Sequence, residues 1–306
     1  MRDECPYPMP DKERVCTPEG FLYFVWEREA IRVARENGHA GPWTQDPVLL
    51  KYKFTNIRRR DDRVSKWIIK EIINLNQRNE NLWFSLLIAR LINWPPTLAQ
   101  LIYEDVIPCK PDEFDSDKFV STIENFKGKS SKVYSGAYMV YPTKMDPGGN
   151  KSQAIAKHII GSVIDNSKSI RFALWGHENM LIERFVNAMT KSFGISTFMA
   201  GQVAADLTYA RGHLDQAEDL YSYAPIGPGS SRGLNYLLHR PAYGTWKQDQ
   251  FNAELVKLRK AIKSELDISD LTLHDVQNCM CEFSKYCRTV LGEGLPKTTY
   301  QPEKEF

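Results

Sequence analysis

The sequence contains one concentrated basic cluster, between positions 51 and 70, where eight lysines and arginines accompany two aspartates. Its four arginines are Arg58, Arg59, Arg60 and Arg63. They lie before or within the first turn of a helix predicted over about 62–76, and cations at that end oppose the helix dipole. The arginines therefore either pair with Asp61 and Asp62 or bind an anion. Guanidinium groups suit bidentate recognition of phosphate.

A second candidate site is a pair of predicted helices joined by a tight turn within residues 178–210. Gly194 fits a left-handed helix stop, and Thr197 fits the N-cap of the following helix. Such a turn can offer backbone N–H groups to a DNA phosphate. Because any antiparallel helix pair shows the same pattern, both interpretations stay open.

The third candidate is a glycine- and proline-rich loop, APIGPGSSRGLNYLL over 224–238, which leads into a helix capped by Ser230 or Ser231. Exposed N–H groups in such a loop can hold a phosphate. It is not a nucleotide-binding P-loop, because Arg232-Gly233 stands where the required Lys-Ser/Thr would be. A plain connection between two elements is the alternative.

The last predicted helix, within 271–294, carries three polar residues on one face: Glu282, Lys285 and Arg288. Ion pairing within the helix is the alternative to a binding role. The spacing of Cys279, Cys281 and Cys287 matches no zinc or iron–sulfur motif, so these cysteines are predicted to be core thiols. No histidine has a partner at metal-ligand spacing, and we expect no metal.

The elements that position these residues are mostly helices, so the predicted fold class is mainly α. Strand signals are confined to KVYSGAYMVYP (132–142), which predicts a small β-hairpin. Residues 1–16 are interpreted as a polar leader and 292–306 as an extended tail of a single domain spanning 1–306. With 42% apolar and 25% charged residues and a mean hydropathy of −0.44, the composition is that of a globular chain. No apolar stretch predicts a membrane span or a signal peptide, so a cytoplasmic location is expected.

Six stretches in this order resemble one protein family. They are PWTQD (42–46), FTNIRRRDDRVSKW (54–67), SGAYM (135–139), FGISTFMAGQVAADL (193–207), APIGPGSSRGL (224–234), and CEFSKYCR with GEG and TTY (281–300). The family is the bacteriophage α-glutamyl/putrescinyl thymine pyrophosphorylases, or amino acid:DNA transferases. The helical domain of phage 5-hydroxymethyluracil DNA kinases is similar. The similarity extends over about 26–300.

The resemblance implies a helix–hairpin–helix architecture like that of DNA glycosylases. It also implies a replacement reaction on double-stranded DNA that carries 5-(pyrophosphoryloxymethyl)uracil. An amine, from an amino acid or a polyamine, displaces pyrophosphate and stays bonded to the 5-methylene carbon. The target base leaves the stack to be reached, as for other base-modifying enzymes. Arginines can neutralise the leaving pyrophosphate without metal, and no cofactor is expected.

The sequence departs from related patterns in two places. The hairpin that usually reads G-x-G is Gly194-Ile195-Ser196, and the Pro225–Gly229 stretch lacks the aspartate that glycosylases use. Base excision is therefore disfavoured, and so is kinase activity, since no phosphate loop is found. The alternatives are a non-catalytic DNA-binding module that serves a kinase, or a glycosylase whose acid lies elsewhere.

The transferase hypothesis divides the candidate residues into three groups. Candidates for the base that takes the amine proton are Asp46, Asp62 and Glu282. Candidates for binding the substrate and its pyrophosphate are Asn56, Arg58, Arg59, Arg63, Gln202, Lys285 and Arg288. Candidates for contacting DNA are Gly194, Ser196, Thr197, Gly227, Gly229, Ser230 and Arg232. We also expect Arg59→Ala to weaken binding or turnover while leaving thermal stability nearly unchanged.

Overall fold

A computed structural model describes residues 1–108, 110–130, 132–136 and 150–301. These residues are mainly helical, as predicted. The chain divides into two compact units, the first comprising Met1–Asp62 with Tyr221–Glu305 and the second comprising Arg63–Leu220. None of the helices in the described ranges combines the length and apolarity that crossing a bilayer requires.

The first unit is built from five α-helices and one 3₁₀ turn. The α-helices are Pro18–Glu36, Pro47–Lys51, Pro228–Leu237, Gln248–Leu266 and Leu273–Leu291, and the 3₁₀ turn is Arg59–Asp61. Local signals set the ends of the C-terminal helix, Leu273–Leu291. Thr272 caps its start by accepting the Asp275 N–H at 3.2 Å, and Gly292 stops it with φ of +78°.

Aromatic side chains from both ends of the chain form the core of the first unit. The Phe21 ring packs edge-on to Phe283 with centroids 5.2 Å apart, and Phe24 lies 5.2 Å from Tyr286. The predicted leader belongs to this unit, since Val15 is fully buried and the Arg2 N–H donates to the Leu266 carbonyl at 3.1 Å. The N-terminal and C-terminal parts of the chain therefore fold together.

Glycines allow a close approach between helices Pro228–Leu237 and Leu273–Leu291. A Cβ atom added to Gly233 would lie 2.1 Å from the Met280 carbonyl oxygen, and one added to Gly229 would lie 2.3 Å from Cys281 Sγ. Only a residue without a side chain fits at either position. The glycine-rich loop singled out in the sequence therefore serves helix packing.

The second unit contains the remaining helices. The α-helices are Arg63–Ile68, Asn74–Asn76, Leu82–Ile92, Pro95–Tyr103, Ser116–Lys127, Lys151–Gln153, Gly161–Asp165, Ser167–Trp175, Ile182–Met189 and Thr197–Leu207. Two π-helical stretches, Ile69–Ile73 and Ala154–Ile160, lie within the helical runs 63–76 and 151–165. Its described residues also form the 3₁₀ turns Pro111–Glu113 and Leu214–Gln216.

The helix pair predicted around Gly194 is present in the second unit. Helices Ile182–Met189 and Thr197–Leu207 flank the turn, and Gly194 has φ of +77°. The N-cap prediction was one residue off, because Ser196 rather than Thr197 accepts the Met199 N–H, at 3.2 Å. The β-hairpin predicted over 132–142 extends into residues outside the described ranges, and its described part, 132–136, forms bends rather than a strand.

Candidate active site in the first unit

A buried arginine organises the segment that precedes the basic cluster. Arg28, on helix Pro18–Glu36, is 6% exposed. Its guanidinium donates to the Phe54 carbonyl at 3.2 Å, to the Thr55 carbonyl at 3.2 Å and to Asn56 Oδ1 at 3.4 Å. Burial lowers the pKa of Arg28, while the negative charges of Glu282 and Asp62 raise it. One cation thus fixes three consecutive residues and faces two carboxylates.

Asp62 closes the segment from its other end. Its Oδ1 accepts the Asn56 N–H at 2.8 Å, and its Oδ2 lies 3.2 Å from Arg59 Nη1. The side-chain amide of Asn56 in turn donates to the Asp61 carbonyl at 2.8 Å. Burial raises the pKa of Asp62, although Arg59 and the Asn56 N–H oppose the shift. A carboxylate with a raised pKa accepts a proton more readily than an exposed one, which suits a general base.

Glu282 reaches the same segment from the C-terminal helix. Its carboxylate accepts the Thr55 N–H at 2.9 Å and a hydrogen bond from Lys285 Nζ at 2.7 Å, and its side chain is 13% exposed. Lys285 also donates to the Lys53 carbonyl at 3.0 Å. The intrahelical pairing of Glu282 with Lys285 is therefore present, and it is combined with contacts to the backbone of 53–55.

The arginines of the basic cluster divide into two sets. Arg58 bridges Glu29 at 2.6 Å and Asp270 at 2.7 Å, and Arg59 pairs with Asp62. Arg60 and Arg63 are exposed. Pairing within the protein thus accounts for the first set. The exposure of Arg60 keeps the anion-binding interpretation open for that residue.

Three carboxylates in these pairs, Glu29, Asp270 and Asp275, were missed by sequence reasoning. Asp275 accepts the Arg59 backbone N–H at 2.9 Å in addition to capping its own helix. Asp270 and Asp275 are more than 200 positions from the arginines they bind, so no local spacing reveals these partners. Arg28 was missed as well, because a single arginine in a helix gives no local sign that it is buried.

Asp46 occupies a structural position. It caps helix Pro47–Lys51 by accepting the Val48 N–H at 2.8 Å and the Leu49 N–H at 3.1 Å. Its second oxygen accepts the Tyr286 hydroxyl at 2.6 Å, and the residue is 2% exposed. The side chains of Asp62 and Glu282 are 17% and 13% exposed, so accessibility favours these two residues over Asp46 as the base.

The loop residues predicted to hold phosphate differ in burial: Ser230 lies inside the first unit, whereas Arg232 reaches its surface. Helix Pro228–Leu237 begins after Gly227, so the predicted cap at Ser230 or Ser231 was wrong. Ser230 is fully buried, and its hydroxyl accepts a hydrogen bond from Gln277 Nε2 at 3.0 Å. Arg232, in contrast, stacks on the ring of Tyr243, which is 83% exposed. Arg232 is therefore the member of this group best placed to meet DNA.

Arg288 lies farther along the C-terminal helix than the Glu282–Lys285 pair. Its guanidinium packs so closely beside Gly294 that a Cβ atom there would lie 2.4 Å from Arg288 Nη2. Cys281 is adjacent to Glu282, and burial, helped by that carboxylate, raises the pKa of its thiol to about 11. No group of three or more potential metal ligands occurs within the described part of the chain.

In the second unit, the hairpin residues Gly194, Ser196 and Thr197 are exposed, and so is Phe193 at 56%. Two surface grooves of 660 and 500 Å³ lie in the helices around this turn. Their basic lining residues are Lys157, His158, Lys168, His177, Arg184 and Lys191. Gln202, in contrast, is only 3% exposed on helix Thr197–Leu207, whereas contact with a base edge requires an accessible amide.

The chain matches the family described as "5-hmdU DNA kinase, helical domain" over residues 17–294. Because this match covers most of the sequence, the chain belongs to this family, and its mainly helical fold agrees with the description. Among curated proteins it is similar to the 5-hmdU DNA kinase of Bacillus phage SP10, with 27% identity over 285 residues. The aligned region covers 86% of this chain and 42% of that kinase, so the chain spans less than half of the relative's length. No solved structure matches.

Proposed function

We propose that this chain is an amine:DNA transferase of thymidine hypermodification, acting in the cytoplasm of a phage-infected cell. It replaces the pyrophosphate of 5-(pyrophosphoryloxymethyl)uracil in double-stranded DNA with an amine from an amino acid or a polyamine. The name of the matched relative, a 5-hmdU DNA kinase, supports a substrate derived from the same modified base. The observation that carries the proposal is that two largely buried carboxylates, Asp62 and Glu282, bind the same Thr55–Asn56 segment that Arg28 holds.

The reaction needs a cationic environment and a proton acceptor. The C–O bond at the 5-methylene carbon breaks, and its electrons leave with pyrophosphate, while the amine nitrogen forms a new C–N bond at the same carbon. The attacking nitrogen then carries an extra proton, which Asp62 takes. Glu282 is the second acceptor, with Lys285 beside it to balance its charge. Arg59 supplies positive charge for the departing group.

DNA is held by contacts outside this cluster. The exposed turn around Gly194, with its neighbouring lysines, fits the DNA backbone, since phosphate contacts come mainly from basic side chains and turn N–H groups. Arg232 and the exposed Tyr243 ring form a second surface suited to a phosphate and a base. The target base is flipped out of the helix to reach the carboxylates.

A non-catalytic DNA-binding module that serves a separate kinase is the second candidate. It is favoured by the family description, which names a helical domain, and by the partial coverage of the relative. In that case the ion pairs of the first unit are structural, and DNA contact is the whole function.

Mass spectrometry of nucleosides decides between the two candidates. DNA that carries 5-(pyrophosphoryloxymethyl)uracil is incubated with the protein and a panel of amino acids and polyamines, then digested. The transferase yields an aminated nucleoside and one pyrophosphate per modified base. A binding module yields unchanged substrate, and a glycosylase yields a free base with an abasic site.

A further inference from the structure

The chain's TTY segment, Thr298–Tyr300, pairs with residues 51–53, at the end of helix Pro47–Lys51. The Lys53 N–H donates to the Thr298 carbonyl at 3.0 Å, and the Tyr300 N–H donates to the Lys51 carbonyl at 3.0 Å. Tyr52 and Thr299 form an antiparallel bridge between these two bonds. The backbone position of Tyr300 is therefore fixed on the segment that continues directly into Phe54, Thr55 and Asn56.

Two further side chains fix the ring of Tyr300. Its centroid lies 6.3 Å from that of Trp43 in an edge-on arrangement, and the Arg35 guanidinium lies 5.6 Å from each of these rings. Trp43 is itself held, because its indole N–H donates to the His39 carbonyl at 2.6 Å. The ring thus has contacts from the loop around 43 and from helix Pro18–Glu36.

The hydroxyl of Tyr300 is buried and makes no hydrogen bond. A buried hydroxyl without a partner is costly, so such a group calls for an explanation. Tyr300 interacts electrostatically with Arg28, the residue that also faces Asp62 and Glu282. The ring therefore holds an unpaired donor in the electrostatic field of Arg28, and the Arg35 guanidinium lies 5.6 Å from the ring.

We propose that Tyr300 is a substrate-binding residue whose hydroxyl donates a hydrogen bond to an oxygen of the substrate's pyrophosphate group. The inference rests on the proposed function for the identity of the anion. Arg28 and Arg35 favour an anion at this place, and an O–H donor to an anionic oxygen forms a short, strong hydrogen bond. The family match ends at residue 294, so this residue lies beyond it.

Tyr300→Phe removes the hydroxyl and keeps the ring, and Tyr103→Phe is the matched control on an 83% exposed tyrosine of the second unit. Calorimetry measures binding of inorganic pyrophosphate to each protein, and thermal unfolding shows that both variants fold. Losing a hydrogen bond to a charged group weakens binding by roughly tenfold or more. We expect that loss in Tyr300→Phe, an unchanged melting temperature, and wild-type binding in Tyr103→Phe.

The same proteins are then assayed on pyrophosphorylated DNA with an amine, where kcat/KM of Tyr300→Phe should fall by a similar factor. Weakened pyrophosphate binding without any aminated product from the wild type supports the Tyr300 contact and contradicts the transferase. Product formation with equal pyrophosphate binding by wild type and Tyr300→Phe supports the transferase and overturns the contact. A wild type that does not bind pyrophosphate also overturns it.

Discussion

Replacing Arg59 with alanine should destabilise the first unit, although the sequence alone led us to expect a nearly unchanged thermal stability. The Arg59 side chain is 11% exposed and Asp62 is 17% exposed, with 3.2 Å between their charged atoms. Removing the cation leaves the Asp62 carboxylate largely buried beside Glu282. Breaking a fully buried pair costs about 3–5 kcal/mol, and the partial exposure here reduces this to about 2–3 kcal/mol.

Thermal unfolding of Arg59→Ala and Arg60→Ala measures this cost with a matched control, since Arg60 is exposed in the same turn. At about 2–4 °C for each kcal/mol, Arg59→Ala should melt about 5–10 °C below the wild type, and Arg60→Ala within about 2 °C of it. The difference should shrink at acid pH, where Asp62 is protonated and no longer needs a cation. Equal melting temperatures for the two variants at neutral pH would refute the reasoning.

Three further outcomes follow from the described contacts. Burial raises the pKa of Asp62, so this carboxylate binds a proton more tightly in the folded protein than in the unfolded chain. The free energy of unfolding of the wild type, relative to that of Asp62→Asn, should therefore fall as pH rises above about 4, as measured by urea unfolding. Gly233→Ala should cost about 1–3 kcal/mol of stability because its Cβ would overlap the Met280 carbonyl. Gly161→Ala should be neutral or stabilising, because a Cβ at this helical position would lie 3.9 Å from the nearest atom, the Ala156 carbonyl oxygen. Equal effects of the two substitutions in denaturant unfolding would contradict this expectation. Cys281→Ser should retain activity, because a thiol with a pKa of about 11 is not a thiolate near neutral pH, and a loss of more than about 100-fold in a folded variant would contradict this.

Local sequence signals predicted the helices well, because caps and apolar spacing act within a few residues. Thr17 and Asp115 cap the helices that follow them, but the helix stop predicted at Gly194 was wrong, because the helix before it ends at Met189. The interruptions were not predictable in the same way. The π-helical stretches Ile69–Ile73 and Ala154–Ile160 keep the apolar character of an ordinary helix, so periodicity does not reveal them.

The candidate site was predictable in its residue types but not in its contacts. Asn56, Arg59 and Asp62 lie within seven positions, and the structure joins all three in one loop. Their other partners come from residues far away in the chain. Gly229 and Gly233 also allow the close packing of two helices, and the phosphate-binding role of this stretch stays a prediction.

The central claim is that an amine replaces pyrophosphate on DNA with Asp62 as the proton acceptor. Its most direct test is single-turnover formation of aminated nucleoside by Asp62→Asn, with Asp61→Asn as the control from the adjacent position. Asparagine keeps an oxygen to accept the Asn56 N–H but binds no proton, so the rate should fall by about 100-fold or more, while the control keeps most of the wild-type rate. Wild-type rates of product formation in a folded Asp62→Asn protein, or no aminated product from the wild type with any amine, would contradict the claim.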